Sequence, residues 1–229
     1  LLLLVRLLDD RPRPVTPYEL SWALHPSVII GTGLLGALYF WGIGPLRRGR
    51  ALGPPATRWQ IASFSAALVV LLFALNGPMH DLSDYYLFSV HMVQHLALTL
   101  LFPPLLIAGT PGWLLSPILS HPPIRRAARV VTHPMVAAGL YTFTIAAWHT
   151  APAYDLMMRD HDVHIATHIM FMVAATIMWW PVMSPSPELP ALSPGLAMLY
   201  LFLVGIPMQL VAAMITMAAA IRTELIEAC

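Results

Sequence analysis

Several side chains that commonly build functional sites are scarce or absent in this sequence. Only 10% of the 229 residues are charged, and the twelve basic residues are all arginine because the chain contains no lysine. The single cysteine is Cys229, which excludes an internal disulfide, a thiolate metal site and a CxxC redox pair. No basic patch is interleaved with aromatic residues, so a nucleic acid is not an expected ligand.

The sequence also lacks the motifs of several enzyme classes. It contains no HExxH, and its apolar helical runs carry no glutamate before Glu224, which argues against a zincin-type protease and against a di-iron carboxylate bundle. No nucleophile is paired with a convincing general base. We therefore expect a protein that is not an enzyme.

What the chain has in abundance is apolar sequence. Hydrophobic residues make up 58% of it, in runs too long for an ordinary soluble core. We predict an all-α, polytopic transmembrane helical bundle, with an N-terminal extracytoplasmic segment at 1–27 and a single transmembrane domain at 28–229. The predicted spans are 28–44, 60–76, 84–107, 134–149, 162–180 and 195–221.

The N-terminus and the prolines carry further expectations. Residues 1–8 are too short to span a bilayer and are interpreted as the tail of a signal or of an earlier helix. Trp22 is placed like an interfacial anchor before the first span. Pro103-Pro104 are expected to kink or end the third helix, and Pro207 is expected to kink the sixth.

The arginines predict an orientation. Seven of the twelve lie in the links after the first and third spans, so the positive-inside rule places those links in the cytoplasm. The connectors after the second and fourth spans then face outward from the plasma (inner) membrane. The seven are Arg47, Arg48, Arg50, Arg58, Arg125, Arg126 and Arg129.

Histidines form the main functional pattern. His91 and His95 lie four residues apart in the third span, and His164 and His168 repeat this spacing in the fifth, so each pair shares one helix face. An imidazole inside a membrane helix is costly to leave without a partner. Under the predicted orientation these four gather near the extracytoplasmic face. Further histidines at the same level are His80, His149 and His161.

A cluster of imidazoles without cysteine is typical of copper or of haem iron. Bis-histidine haem ligation and a purely structural, hydrogen-bonding role both remain open at this point. Nearby carboxylates either orient ring N–H groups or act as helix caps and solvated charges; they are Asp84, Asp155 and Asp162. Methionines at this level suit packing better than thioether ligation of Cu(I); they are Met79, Met92, Met157 and Met158.

The sequence HMVQHLALTLLFPPLLIAGTP at 91–111 resembles the CtaG-type family of cytochrome c oxidase assembly proteins found with caa3-type oxidases. The similarity continues through WHTAPAYD at 148–155, HIATH at 164–168 and WWPV at 179–182. It covers most of residues 22–217. The family is distinct from the single-span copper-delivery protein that shares the CtaG name in some bacteria.

The resemblance implies an outer-facing, histidine-rich metal site that helps to insert copper into a haem-copper cytochrome c oxidase, whose subunits would be partners. Carried over by position, its ligands are His91, His95, His149, His164 and His168. His80, His161 and Asp84 are added from their placement alone. The alternative functions are a haem-binding electron-transfer protein and an accessory subunit of a larger respiratory or photosynthetic complex. The family is expected to have seven helices, whereas this chain follows its sixth with IRTELIEAC.

Overall fold

The computed structural model describes residues 25–85 and 88–227. The segment 1–24 with Trp22, and Cys229, lie outside the described residues, as do the side chains of Asp84 and His161. All regular structure in the described part is helical, which confirms the all-α prediction. The helices are α1 Pro26–Trp41, α2 Arg47–Arg50, α3 Arg58–Leu75, α4 Gly77–Tyr85, α5 Phe88–Leu96, α6 Phe102–Gly109, α7 Gly112–Leu119, α8 Pro122–Val131, α9 Pro134–Trp148, α10 Ala151–Arg159, α11 His161–Met183 and α12 Pro194–Glu227.

Five helical runs of the described chain are long and apolar enough to cross a membrane. A sixth span is reached if α8 and α9, which meet at a bend of 65°, are counted together. The 15 residues of α9 measure only about 22 Å at 1.5 Å per residue, against a hydrocarbon core of roughly 30 Å. The five runs are Pro26–Arg50, Arg58–Leu75, Ser89–Gly109, Asp162–Met183 and Pro194–Met214.

The third helix does not end at its proline pair, which was one of the two outcomes predicted for it. The helical path continues through Pro103-Pro104 to Gly109, and the irregularity is a π-helical turn just before them, at Ala97–Leu101. A second π-helical turn, Gly42–Leu46, contains Pro45. Proline lacks an amide hydrogen and its ring crowds the carbonyl four residues earlier, so a wider turn relieves the conflict. Pro207 lies inside the unbroken α12.

The connectors are more helical than the sequence indicated. Segments taken as irregular links between spans contain the short helices α4, α7, α8 and α10. Each has ten residues or fewer, so none of them produces an apolar run of membrane length. The long apolar runs of the sequence therefore locate the candidate spans but do not reveal the short helices that join them.

The described residues form two compact units. Unit 1 consists of the described residues up to Ala128 and of Met183–Pro190. Unit 2 consists of Arg129–Val182 and of the described residues from Ala191 onward. The expectation of a single domain over 28–229 stays a prediction.

In unit 1, three helices meet at Gly109. A Cβ built there would lie 2.5 Å from the backbone nitrogen of Phe64, so only glycine lets α6 approach α3 this closely. The Tyr39 hydroxyl on α1 donates to the Gly109 carbonyl at 2.8 Å, and the Tyr39 ring stacks on that of Phe64 with centroids 3.6 Å apart. Unit 1 is thus close-packed at its centre.

The loop between α11 and α12 is tied to unit 1 through Glu188. The Ser116 hydroxyl on α7 donates to one carboxylate oxygen at 2.9 Å, and the Ser186 hydroxyl donates to the other. Hydrogen bonds from Ser186, from the backbone and from Ser116, together with the charge of Arg125, lower the pKa of Glu188 below its ordinary value of 4.5.

Unit 2 has an apolar core where α9, α11 and α12 meet. Small residues, Ala174 and Ala175, are buried in it and allow the helices to approach one another. The Tyr200 hydroxyl donates to the Met178 carbonyl at 2.9 Å, so the phenol is satisfied within the core. The buried members are Tyr141, Ile145, Phe171, Ala174, Ala175, Met178, Tyr200 and Val204.

Candidate functional site

The first histidine pair lies on the buried face of α5. His91 is 2% exposed and His95 is 8% exposed, and their rings cross at 64° with centroids 4.4 Å apart. The two Nε2 atoms are separated by 2.7 Å. One of the two Nε2 atoms has to donate and the other to accept, so in the neutral pair one ring carries its hydrogen on Nε2 and the other ring does not.

This separation is close to what a metal ion requires. Two imidazole nitrogens bound to one ion at about 2.0–2.1 Å lie roughly 3 Å apart when the ligand angle is near 90°. The observed 2.7 Å is therefore within a few tenths of an ångström of a two-ligand chelate. In the hydrogen-bonded pair each nitrogen faces the other, so both rings would have to turn toward a common point before the two lone pairs could bind one ion.

The rings of the second pair, on α11, are arranged at a similar distance and angle. His164 and His168 are buried, and their rings cross at 63° with centroids 4.6 Å apart. The helix begins two turns before His168, where Asp160 Oδ1 accepts from the amides of Asp162 and Val163 at 3.0 and 3.2 Å. Asp160 is therefore the N-cap, a role that the sequence analysis did not assign to it.

His149 directly follows α9, as predicted. Its Nδ1 lies 2.7 Å from the Ile145 carbonyl, which can only accept, so Nδ1 carries the hydrogen and Nε2 carries the lone pair. The ring is nearly parallel to that of Phe171, at 9° with centroids 6.1 Å apart. This tautomer is the one in which Nε2 can act as a ligand.

Gln94 is a fully buried polar side chain beside the first histidine pair, and sequence reasoning missed it. It is 0% exposed, and its amide nitrogen donates to the Ala74 carbonyl at 2.7 Å and to His80 Nδ1 at 3.3 Å. Its Oε1 is buried without a hydrogen-bond partner among the described residues. The available signal was the position of Gln94 directly before His95, three residues after His91, on the same helix face.

His80 is part of this network. Because Nδ1 accepts from Gln94, the neutral ring carries its hydrogen on Nε2. His25, which the sequence analysis also missed, meets His80 edge-on with centroids 4.4 Å apart, and the His25 amide donates to Asn76 Oδ1 at 2.7 Å. His80 thus contacts neighbours from two other parts of the chain, His25 and Gln94.

The carboxylates and methionines have ordinary surroundings where they are described. Asp155 forms an exposed ion pair with Arg159 at 3.8 Å, which fits a solvated charge. Burial, and then the charge of Asp155, raise the pKa of Tyr154. Met157 is buried, while Met79 and Met92 are half-buried. The Met158 side chain lies outside the described residues.

The predicted ligands are divided between the two units. His91 and His95 belong to unit 1, whereas His149, His164 and His168 belong to unit 2. Within the described residues no group of three or more His, Cys, Asp or Glu side chains is arranged to hold a metal ion. The set of five ligands stays a prediction.

The fold and these side chains define a polytopic helical membrane protein with paired, buried imidazoles in its spans. The chain belongs to the Caa3_CtaG family of cytochrome c oxidase caa3 assembly factors, which matches residues 37–227. The family identified from the motifs is therefore confirmed.

Curated relatives of the chain come from mycobacteria. Uncharacterized proteins of Mycobacterium bovis and Mycobacterium tuberculosis are each 27% identical over 195 residues, which cover 78% of this chain. One of Mycobacterium leprae is 25% identical over 231 aligned residues, which cover 93% of this chain. The chain spans only 29% to 34% of the length of these relatives. No solved structure matches it.

Proposed function

We propose that this chain is a non-catalytic, copper-binding assembly factor that helps to insert copper into a haem-copper cytochrome c oxidase. Membership of the family supports the general part of this proposal, that the chain is an assembly factor of the caa3 oxidase. Copper is the cargo in this proposal. It is taken up at the extracytoplasmic side of the plasma membrane and passed to oxidase subunits docked against the chain.

The observation that carries this proposal is the 2.7 Å separation between the Nε2 atoms of His91 and His95. The two buried ring nitrogens lie at nearly the distance that separates two nitrogen ligands of one metal ion, and imidazole is a good ligand for copper. The single cysteine, Cys229, provides no thiolate pair that would hold the ion irreversibly.

The histidines of unit 2 support the same proposal. The geometry of the His164 and His168 rings matches that of the first pair, and the Nδ1 hydrogen bond of His149 leaves Nε2 as its ligand atom. We propose these three as further copper ligands. Imidazoles can leave one at a time as acceptor ligands arrive, which suits binding that is firm but exchangeable.

The test is elemental analysis and an absorption spectrum of the detergent-purified protein, wild type beside His95→Ala. We expect copper near one per chain without a Soret band in the wild type, and loss of that copper in the variant with membrane insertion intact. The control is His121→Ala, which removes an exposed histidine between α7 and α8 and should keep the copper.

The readout in cells is the copper content of the oxidase. Normal oxidase loading in a strain carrying His95→Ala would contradict the proposal. A Soret band in the purified wild type would instead identify a haem protein. Stable co-purification with a large complex, without metal or haem, would favour an accessory subunit.

A further inference from the structure

One end of unit 1 carries an excess of positive charge. The sequence contains no acidic residue between Glu19 and Asp81, and none between Asp84 and Asp155. Those two stretches nevertheless hold seven of the twelve arginines. Six of the seven lie in unit 1, and Arg129 lies at the start of unit 2.

Contacts of α7 bring the two arginine-bearing segments of unit 1 together. A Cβ on Gly42 would lie 2.8 Å from Leu114 Cδ1, and one on Gly53 would lie 2.5 Å from Trp113 Cγ. The end of α1 and the loop after α2 therefore pack against α7. Only two residues separate α7 from α8, so the arginines of α8 directly follow the helix against which the first arginine-bearing segment packs.

Some of these arginines are engaged within the protein. Arg47 donates from Nε to the Ile43 carbonyl at 3.1 Å and from a terminal nitrogen to the Gly53 carbonyl at 3.3 Å. Arg125 lies close enough to Glu188 to influence its titration. The remaining four of unit 1 have exposed side chains and form what we call the arginine patch: Arg48, Arg50, Arg58 and Arg126.

Exposed tryptophans place this patch at the depth of lipid headgroups. Trp59, next to Arg58, is 85% exposed, and Trp41, at the end of α1, is 53% exposed. Tryptophan side chains concentrate at the interface between the hydrocarbon core and the headgroups. Both therefore mark the bilayer boundary beside the arginine patch.

The composition of α8 agrees with this depth. Three of its ten residues are arginine, yet Ile124 and Val130 on the same helix are also exposed, at 44% and 62%. Arginines are costly inside the hydrocarbon core, whereas a short helix with basic and apolar side chains is stable in the headgroup layer. We therefore place α8 on the membrane surface.

We propose that the arginine patch binds the phosphate headgroup of an anionic phospholipid. A guanidinium group presents two parallel N–H donors that match a phosphate oxygen pair, and the chain uses this side chain for every basic position. The net charge of an anionic lipid adds an attraction that a zwitterionic lipid does not provide. The site is independent of the histidines.

Native mass spectrometry of the full chain in mild detergent tests this. The protein is titrated with dioleoyl phosphatidylglycerol or with dioleoyl phosphatidylcholine, and retained lipid is counted. We expect the wild type to retain at least about fivefold more of the anionic lipid, and Arg48→Gln/Arg50→Gln/Arg126→Gln to lose that preference. The matched control is Arg159→Gln, whose guanidinium is exposed on α10, and it should behave as wild type.

Equal retention of both lipids by the wild type would overturn the proposal, as would an unchanged preference in the triple variant. Removal of the preference by an equal concentration of inorganic phosphate would show a phosphate site rather than a lipid site. Circular dichroism checks the fold. If the triple variant misfolds, the single variants Arg50→Gln and Arg126→Gln carry the test, and each is expected to lower the preference.

Discussion

The two histidine pairs show how similar geometry arises in different surroundings. His91 and His95 lie on a helix that changes to a π-helical turn only two residues later, whereas His164 and His168 lie in a helix that runs unbroken to Met183. The ring crossing angles nevertheless differ by only one degree, 64° against 63°. Spacing of four residues in a helix places both imidazoles of each pair on one face, whatever follows the pair.

The surroundings differ because they come from other helices. Beside the first pair, Gln94 makes hydrogen bonds to Ala74 on α3 and to His80 on α4. Beside the second pair, the fully buried Thr167 donates to the Val163 carbonyl of its own helix at 2.8 Å. Gln94 is therefore held by contacts between helices, and Thr167 by a contact within its own helix.

The largest expected effect compares the pairs directly. His91→Ala/His95→Ala and His164→Ala/His168→Ala should each weaken copper retention by about tenfold or more, because each removes two imidazole ligands. Retention is measured by competition with a chromogenic Cu(I) chelator. The control, His121→Ala/His133→Ala, removes two exposed histidines and should not change it. Full retention in either of the first two variants would separate the roles of the pairs.

A second prediction contrasts the packing of glycines. Gly109→Ala should destabilise the protein by about 2–3 kcal/mol, because its Cβ would meet the backbone of Phe64, which cannot move aside alone. Gly205→Ala in unit 2 has nothing within 4 Å of the new Cβ, so its effect should stay within about 1 kcal/mol. Thermal unfolding in detergent, followed by circular dichroism, measures both. Equal melting temperatures for the two variants would contradict the comparison.

A third and smaller contrast concerns buried polar groups. Gln94→Leu should cost about 2 kcal/mol, because it leaves the Ala74 carbonyl and His80 Nδ1 without their donor. Thr167→Val should cost about 1 kcal/mol or less, since the Val163 carbonyl keeps its place in the helix. The same unfolding measurement applies. A loss for Thr167→Val as large as for Gln94→Leu would contradict the contrast between these two residues.

Local patterns account for what the sequence predicted well. Long apolar runs located the spans, and the spacing of His91/His95 and His164/His168 placed each pair on one buried face. The position of His149 at the end of a span followed from the end of the apolar run. These features depend on residues within one or two helical turns of each other, which a linear pattern records directly.

Other features depend on distant partners. Nothing in the run of residues around Gln94 indicates that its amide bonds to Ala74, twenty positions earlier, or that His25 lies against His80. The π-helical turn before Pro103 was missed because it depends on how a continuing helix accommodates two prolines. The short α7 and α8 lack a membrane-length run and were taken for links.

The sequence by itself determined the all-helical membrane class, the location of the long apolar runs and the helix face shared by each histidine pair, since all three follow from hydrophobicity and the helical repeat. Only the tertiary structure decided which backbone approaches Gly109 and which groups accept hydrogen bonds from Gln94. Those outcomes depend on contacts between segments far apart in the chain, where close packing and buried hydrogen bonds select the partners.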